Sequence, residues 1–348
     1  MHKGVVHALI AAALFGASTP FAKALVGQVA PVMLAGMLYL GSGIGLLACF
    51  IVRALASRGE HTAGLTAPDL PWLAGAILAG GIAGPLLLML GLTLTPASSA
   101  SLLLNLEGVA TALMAWFVFK ENFDRRIFAG MLLIIVAGIL LSWEQIPVSG
   151  LPWGALAIGA ACLCWGIDNN LTRKVSASDA LQIAGIKGLV AGSVNLALAL
   201  TLGARWPALP MVLTAGIVGF CGYGLSLVMF VLALRHLGTA RTGAYFSAAP
   251  FVGAAVSLLL LGERPGPVFW AAAVLMGVGI ALHLSERHQH EHRHQPASHA
   301  HPHSHDLHHQ HGHDFDWDGA EPHVHAHHHQ EIRHVHRHYP DIHHRHEH

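Results

Sequence analysis

Long apolar segments separated by short polar ones dominate this chain of 348 residues. A helix that crosses the hydrocarbon core of a bilayer needs about 20 predominantly apolar residues. Ten segments meet this requirement, and they lie near residues 4–26, 32–52, 72–94, 97–119, 127–143, 151–172, 180–202, 211–234, 240–262 and 267–284. Open strands cannot span lipid, because every backbone group must find a hydrogen-bond partner within the segment. The sequence therefore predicts an all-α integral membrane bundle of ten transmembrane helices.

Composition divides the chain into two unlike regions. Overall, 53% of the residues are hydrophobic and 11% are charged, against about 25% charged in an average soluble domain. Residues 1–285 contain 14 Lys and Arg against 9 Asp and Glu, whereas residues 286–348 contain 5 against 10 and carry 24 of the 29 histidines. We expect a membrane domain followed by a separate polar tail. The first apolar segment is long for a signal peptide and has a counterpart later in the chain, so we expect it to be a retained helix.

Lysine and arginine are distributed unevenly between the two sides of this predicted bundle. Cytoplasmic loops carry an excess of these residues. With a cytoplasmic N-terminus, the outer loops hold only Arg205 and Arg264. The inner side then collects Lys3, Arg53, Arg58, Lys120, Arg125, Arg126, Arg173, Lys174, Arg235, Arg241 and Arg287. Ten crossings return the C-terminus to the starting side, so we predict a multi-pass protein of the cytoplasmic (inner) membrane with both termini in the cytoplasm.

The chain also contains a weak internal repeat. A shift of about 150 residues sets LFGASTPFAKAL (14–25) on CWGIDNNLTRKV (164–175), so that an aromatic-Gly pair matches an aromatic-Gly pair. A shift of 142 sets Glu121 on Glu263, each at the end of an apolar span. Because five is odd, a second copy of five spans enters the membrane upside down, as in many secondary transporters. We predict two inverted five-helix repeats, over residues 1–145 and 146–285, followed by a tail over 286–348.

Three stretches resemble a known family. FGASTPFAKAL near the N-terminus, TLTPASSASLLLNLEGVATALMAWFVFKEN around the fourth span and GTARTGAYFSAAPFVGAAVSLLLLGERP around the ninth are similar to the two EamA domains of the drug/metabolite transporter superfamily. The resemblance covers residues 4–284 and implies a ten-helix bundle with cytoplasmic termini and a substrate cavity between its halves. Family members mostly move small organic solutes, and many export them.

The chain departs from the family pattern at two places. Family members often carry a proline around the middle of the fourth and ninth spans; Pro250 fits this in the second copy, whereas Gly108 occupies the position in the first. An arginine common in the second span is replaced by Met37 and Leu38, while the matching stretch of the seventh span contains Lys187. The resemblance therefore indicates the fold and the class of transporter, and leaves the substrate open.

Ionisable side chains inside the spans are the candidates for function, because each costs at least about 2.5 kcal/mol at the bilayer centre. Glu107 lies midway along the fourth span, with Thr111 one turn further on the same face. Glu107 could take up and release a proton during transport, pair with a cationic substrate, or serve as a neutral packing residue. Asn105 lies in the same span, where it fits close helix approach as well as substrate contact.

A second polar group lies toward the end of the sixth span. Asp168 shares a helix face with Thr172, and Asn169 and Asn170 flank them. Such amides commonly form hydrogen bonds between membrane helices, so the group could line the cavity or tie the span to its neighbours. Lys187, about two turns into the seventh span, could pair with Asp168 or Glu107, or could extend to the interface. For Lys23 and Arg173, near helix ends, we expect extension to the interface.

The tail repeats His-x-His with Pro, Asp and Glu and few aliphatic residues, so we expect it to be disordered. Neutral imidazole is a natural ligand of Zn, Ni, Co and Cu. Divalent transition metal at the tail is therefore the predicted bound ion, and no cofactor is predicted to be required. The candidate ligands are His288, His290, His292, His294, His299, His301, His303, His305, His308, His309, His311, His313, His323, His325, His327, His328 and His329.

Other classes of function lack support in the sequence. The glycine runs at residues 39–46 and 79–85 lie within spans and indicate helix packing, and the chain has no P-loop lysine motif, no G-x-S-x-G and no H-E-x-x-H. The cysteines lie in apolar stretches without a C-x-x-C pair, and we expect small buried side chains at Cys49, Cys162, Cys164 and Cys221. We predict no enzyme activity and no nucleic-acid partner.

The sequence thus favours a secondary transporter that exports a small organic solute by alternating access within membrane lipid. A divalent metal transporter supplied by the tail, or a membrane-anchored metal sensor or store, are the alternatives. The spans do not contain the several clustered His, Asp, Glu or Cys ligands that a dehydrated metal requires. The substrate, the coupling ion and the oligomeric state stay open.

Overall fold

A computed structural model describes residues 3–56, 64–119, 125–143, 151–176, 178–284, 289–294, 297–303, 323–329 and 332–337. Up to residue 284, the described part of the chain contains helices and no strand. These helices are α1 (Lys3–Val26), α2 (Pro31–Ala56), α3 (Leu70–Ala76), α4 (Gly84–Leu94), α5 (Ala97–Leu103), α6 (Leu106–Phe119), α7 (Arg125–Trp143), α8 (Trp153–Val175), α9 (Ala180–Thr201), α10 (Leu209–Gly219), α11 (Ser226–Phe246), α12 (Ala249–Leu261) and α13 (Pro267–Leu284). A 3-10 turn, Ala67–Asp69, precedes α3.

The helices agree with the predicted membrane spans. Six helical stretches are long and apolar enough to cross a bilayer: Lys3–Val26, Pro31–Arg53, Ala67–Leu94, Ala97–Met114, Ala180–Thr201 and Leu209–Ala233. Three shorter apolar helices cover Phe128–Trp143, Ala249–Leu261 and Pro267–Leu282. The remaining predicted span is α8, which has 23 residues and a lower mean hydropathy because of its polar second half.

One predicted boundary is wrong. The sequence placed a loop between residues 234 and 240, whereas α11 continues as helix to Phe246. The stretch contains no proline and a single glycine, Gly238, so nothing in it removes a backbone donor. The helix is interrupted later, at the turn formed by Ser247 and Ala248.

Irregular backbone recurs at equivalent places in the two halves. A π-helical segment, Ile77–Ala83, joins α3 to α4, and a second one, Phe220–Leu225, joins α10 to α11. A turn at residues 104–105 separates α5 from α6, and the turn at 247–248 separates α11 from α12. The offsets are 143 residues from 77 to 220, 142 from 83 to 225 and 143 from 104 to 247. The second half therefore repeats the irregularities of the first as well as its helices.

Glycines allow the two halves to pack closely along α2 and α9. A Cβ on Gly43 would lie 2.4 Å from the backbone nitrogen of Leu189, and a Cβ on Gly188 would lie 2.5 Å from the backbone nitrogen of Gly43. Small residues at such contacts let helix backbones approach in a membrane, where van der Waals packing drives association. The predicted packing role of the glycine run at 39–46 is confirmed. Elsewhere, α7 packs on α13, α1 on α11 and α12, and α8 on α4 and α6.

The described residues of the tail form four strands. β1 (Gln289–His294) pairs antiparallel with β4 (Ile332–Arg337), and β2 (Ala297–His303) pairs antiparallel with β3 (His323–His329). A His-x-His alternation has the two-residue period of a strand, and a ladder satisfies its backbone groups without an apolar core. Six of the predicted metal ligands lie outside the described residues, namely His288, His305, His308, His309, His311 and His313.

Candidate functional site

A cavity lies between the two halves, lined by residues of both. Its walls come from α1, α2, α6, α8, α9, the π-helical segment Phe220–Leu225 and α11. Four of the residues proposed from the sequence line it: Glu107, Asp168, Asn169 and Lys187. The fold therefore gathers at one place side chains that are up to 80 positions apart in the sequence.

Lys187 forms a buried ion pair with Asp168. Its Nζ donates a hydrogen bond of 2.6 Å to Asp168 Oδ1 and one of 3.1 Å to Thr172 Oγ1. The Thr172 hydroxyl in turn donates to Asp168 Oδ1 at 2.8 Å. Lys187 is only 3% exposed and Asp168 only 6%. Of the alternatives open for Lys187, the structure contains the pairing with Asp168, and the lysine does not extend to the interface.

Asp168 also lies against the backbone of Gly80, in the π-helical segment Ile77–Ala83. A Cβ at Gly80 would be 1.9 Å from Asp168 Oδ2, so only glycine leaves room for the carboxylate there. The same relation recurs in the other half, where a Cβ at Gly222 would be 2.4 Å from Ser18 Cβ. Ser18 is the residue that the sequence repeat aligns with Asp168. Equivalent glycines thus contact the carboxylate of Asp168 in one half and the side chain of Ser18 in the other.

The π-helical segment Ile77–Ala83 anchors three neighbouring helices through backbone carbonyls. Gly80 O accepts hydrogen bonds from Tyr39 Oη at 2.7 Å and from Trp165 Nε1 at 2.9 Å. Gly81 O accepts one from Asn195 Nδ2 at 3.1 Å. A π-bulge changes the regular backbone pattern and is frequent at functional sites. Sequence reasoning missed these contacts, because it interpreted the glycines at 79–85 as helix packing alone.

Glu107 lies in the first turn of α6, directly after the break in the fourth span. Its Oε1 accepts a 2.8 Å hydrogen bond from Asn169 Nδ2, which also donates to Thr111 Oγ1 at 3.2 Å. The Thr111 hydroxyl donates to the backbone carbonyl of Glu107 at 2.8 Å. Within the described residues, Glu107 forms no ion pair with a lysine or arginine. The carboxyl group therefore lies on the cavity wall with only neutral partners.

Two of the predicted polar residues lie behind the cavity wall. Asn170 Nδ2 donates to Thr111 O at 3.2 Å and to Gly166 O at 2.8 Å, which ties α8 to α6. Asn105, in the turn between α5 and α6, donates to Leu102 O at 3.0 Å. Neither residue lines the cavity. Their contacts support the helix-packing alternative that the sequence left open for them.

Six aromatic rings, which we call the aromatic wall, also line the cavity. Phe15 is central, with ring centroids 6.0 Å from Trp165, 5.9 Å from Tyr223 and 5.6 Å from Phe246. Tyr39 lies 5.3 Å from Tyr223, and Phe230 lies 4.9 Å from Phe246. The sequence repeat had aligned Phe15 with Trp165 as an aromatic-Gly match, which is the one signal that could have indicated this wall.

One end of the bundle, which we call the closed end, is held together by polar side chains: Glu263 joins the two halves, and Lys23 joins helices of the first half. Glu263 accepts hydrogen bonds from the backbone nitrogens of Ala97 at 2.8 Å and Ser98 at 2.9 Å, so it caps α5 from the other half. Lys23 Nζ donates to the carbonyls of Leu92 and Thr95. The sequence predicts that Lys23 extends to the interface; in the structure it is partly buried and its Nζ binds these two carbonyls, at the C-terminal end of α4.

The cavity approaches the opposite end, where α8 ends and α9 begins. Lys187 and Gly188 in the first turns of α9, with Leu227 and Phe230 of α11, lie on this side. There Asp179 caps α9 through the backbone nitrogens of Leu181 and Gln182 and pairs with Arg53 at 2.6 Å. These contacts join α9 to itself and to α2.

Within the described residues, no group of three or more His, Cys, Asp or Glu could hold a metal ion. All four cysteines are free thiols, as predicted, although Cys49, Cys164 and Cys221 are only partly buried. The cavity chemistry among these residues is thus that of two carboxyl groups, one ammonium group, amides and aromatic rings.

Comparison with known proteins places this arrangement among membrane transporters. The model of the EamA-like transporter family matches residues 2–143 and again residues 152–285. An uncharacterized transporter of Methanothermobacter thermautotrophicus is 27% identical over 291 residues, covering 80% of this chain and 84% of the relative. The uncharacterized inner membrane transporter YedA of Escherichia coli K12 is 26% identical over 251 residues, covering 70% and 78%.

A solved structure supports the fold. A protein crystal structure superposes on 82% of this chain and 99% of its own chain, with a TM-score of 0.62 and 18% identity. At that identity, the likeness extends to the fold and no further.

Proposed function

Because the chain belongs to the EamA-like transporter family, and is thus a multi-pass membrane transporter, we propose that it moves a small organic solute through the cavity between its halves by alternating access. The observation that carries this proposal is the position of the cavity. It lies where the two repeats meet, beside the helix breaks at residues 104–105 and 247–248. Secondary transporters bind substrate at such repeat interfaces, next to interrupted helices.

The positions of the closed end and of the cavity support export as the direction of transport. The end closed by Lys23 and Glu263 is the outer one under the orientation that the lysine and arginine distribution predicts. The cavity then approaches the cytoplasmic side, where an exporter takes up its substrate. Alternating access would require the halves, residues 1–145 and 146–285, to rock relative to each other until the contacts of Glu263 with Ala97 and Ser98 part.

The role proposed for Glu107 is to bind the substrate or a coupling proton. It is a carboxyl group on the cavity wall with Asn169 and Thr111 as neutral partners. Asn169 belongs to the same polar contact, whereas Asp168 and Lys187 hold α8 to α9 beside it. Glutamine at position 107 keeps an oxygen that can accept the Asn169 hydrogen bond, so the substitution removes the charge with little change of shape.

A ligand screen followed by flux measurement tests the proposal. Purified full-length protein in detergent with a chelator is heated with amino acids, nucleobases, sugars or organic cations, since a ligand that binds the native state raises its Tm. We expect at least one organic solute to raise Tm and to cross into proteoliposomes. Glu107→Gln should abolish that flux, whereas Asp69→Asn, which removes a half-buried carboxylate outside the cavity, should retain it. Flux of divalent metal alone, with no organic solute, would overturn the proposal.

For the tail we propose binding of divalent transition metal. The strand register places His299 opposite His327 and His301 opposite His325, so imidazole-bearing residues face each other across one ladder. Titration of the full-length chain with Zn²⁺ or Ni²⁺ should show binding that disappears when the chain is truncated after residue 285. Equal binding by both forms would place the metal elsewhere.

A further inference from the structure

Among the residues that the structure describes, the charges on the cavity wall do not balance. Two carboxyl groups, of Glu107 and Asp168, face one ammonium group, of Lys187. Lys187 lies 2.6 Å from Asp168 and is held there by Thr172 as well, so these two charges neutralise each other. A buried charge is stable only when it is paired. If Glu107 is ionised, the wall therefore has one negative charge that no cation among the described residues neutralises, and a bound ligand could supply its partner.

The local structure around Glu107 suits a carboxylate. Asn169 donates a hydrogen bond to Oε1 at 2.8 Å, and the side chain lies in the first turn of α6. The partial positive charge of a helix N-terminus stabilises negative groups there. These features orient the carboxylate, and neither of them neutralises it.

The aromatic wall supplies the second half of a recognition site. Its members Phe15, Tyr39, Trp165, Tyr223, Phe230 and Phe246 all line the same cavity as Glu107. Tyr39 and Trp165 donate their polar hydrogens to Gly80 O, so these rings offer aromatic surface in place of hydrogen-bond donors. The faces of aromatic rings attract organic cations, and quaternary ammonium groups are commonly bound by such rings.

From the uncompensated carboxyl group and the rings together, we propose that the cavity binds a monovalent organic cation, an amine or quaternary ammonium compound with a compact apolar or aromatic body, with Glu107 as its counter-charge. This inference rests on the proposed function and names the substrate class of the same site. An organic anion would meet a wall with excess negative charge. A dehydrated divalent metal would need several oxygen, nitrogen or sulfur ligands, whereas this wall consists largely of aromatic rings.

The test uses compounds that share one body and differ only in charge. Full-length protein in detergent with a chelator is titrated with phenethylammonium, 2-phenylethanol, 3-phenylpropionate and phenylalanine, and binding is measured by calorimetry and by the shift of Tm. Benzyltrimethylammonium and tetraethylammonium extend the series to other cation shapes. We expect at least one of the three cations to bind, and the neutral, anionic and zwitterionic compounds to bind at least about tenfold more weakly.

Two variants assign the binding to the two halves of the site. Glu107→Gln should weaken the cation about tenfold or more and leave 2-phenylethanol unchanged, because only the cation loses its attraction to the carboxylate charge. Phe246→Leu should weaken the cation by about twofold to thirtyfold, the range of a cation–ring contact. Asp69→Asn is the control for loss of a carboxylate outside the cavity and should bind like the parent.

Each remaining outcome contradicts the inference. Preferential binding of 3-phenylpropionate or phenylalanine would mean that Lys187 is available to a carboxylate and that the substrate is not a simple cation. Failure of all three cations would exclude the substrate class. In that event, flux of any other organic solute in proteoliposomes would leave the transporter proposal intact, so the two failures are distinguishable.

Discussion

At the scale of single residues, the ion pair between Lys187 and Asp168 holds α8 to α9 only while both charges are present. Each partner is almost fully buried, and in lipid a lone charge has no water to solvate it. Breaking a buried pair by removing one partner costs about 3–5 kcal/mol, whereas replacing both partners is often neutral. Stability should therefore depend on the pair more than on either residue.

We predict that Lys187→Met lowers the free energy of unfolding by about 3–5 kcal/mol, because Asp168 keeps only Thr172 as a partner. The double variant with Asp168→Asn should recover most of this loss. Thermal and denaturant unfolding in detergent measures both. Arg53→Met is the matched control: the Arg53 side chain is 39% exposed, and Asp179 keeps the backbone nitrogens of Leu181 and Gln182 as partners, so this loss should cost less than that of Lys187. Equal effects at the two pairs would contradict this account.

A second prediction concerns Gly80, whose missing side chain leaves the space that Asp168 Oδ2 occupies. Gly80→Ala should push the carboxylate away from Lys187 or α8 away from the π-helical segment, at about 1–3 kcal/mol as for other overpacked sites. Transport should be lost with it. The control is Gly159→Ala, on α8, the helix that contains Asp168. The new Cβ there would have no atom within 4 Å, so stability and flux should be preserved. Normal flux in Gly80→Ala would show that the contact is dispensable.

Several site residues could be predicted from the sequence because charged residues are rare within apolar membrane spans. Glu107, Asp168 and Lys187 stand out in apolar spans, and the need of Lys187 for a partner follows from its depth. Tyr39 and Tyr223 could not be found in this way, since an aromatic residue in a span is unremarkable until its neighbours are known. The Gly80 carbonyl accepts from Tyr39 and Trp165 only because a π-bulge exposes it, and no residue pattern predicts that.

At the scale of elements, the spans could be predicted because length and hydropathy alone determine them, while their interruptions could not. The break between α5 and α6 contains Leu104 and Asn105, neither of which disrupts a helix strongly. At the break, the Asn105 amide donates to the Leu102 carbonyl and lies 3.5 Å from Met276 Sδ of α13. The local sequence therefore predicts a continuous fourth span, whereas the folded chain has a break there that depends on contacts with other parts of the bundle.

The cap on α5 gives a prediction at this scale. Glu263→Gln leaves one side-chain oxygen for the two nitrogens of Ala97 and Ser98 and removes the negative charge from the helix N-terminus. We expect a loss of about 1 kcal/mol in the free energy of unfolding and easier opening of the closed end. A cysteine replacing Ser98, which is 1% exposed, should then react several-fold faster with maleimide than it does beside Glu263. Unchanged labelling would mean that Glu263 does not hold this end closed.

At the scale of the whole molecule, the distribution of lysine and arginine predicts which end faces the cytoplasm. Arg205 lies in the loop before α10 and Gly64 in the loop before α3, on opposite sides in the proposed orientation. We expect an impermeant maleimide added to intact cells to label Arg205→Cys and to spare Gly64→Cys. A chain without native cysteines provides the background. The reverse pattern would invert the orientation and turn the proposed export into uptake.

The equivalent glycines Gly80 and Gly222 have one further consequence. In a transporter made of two identical halves inserted in opposite directions, the states open to either side of the membrane would be related by symmetry. The two states would then be equally populated. Here a carboxylate meets one glycine and a serine meets the other, and Glu107 has Ala249 as its mate. The likeness of the halves lets the molecule reach both end states by the same motion. Because the halves differ, the two end states are not equivalent, and we expect one of them to be favoured at rest.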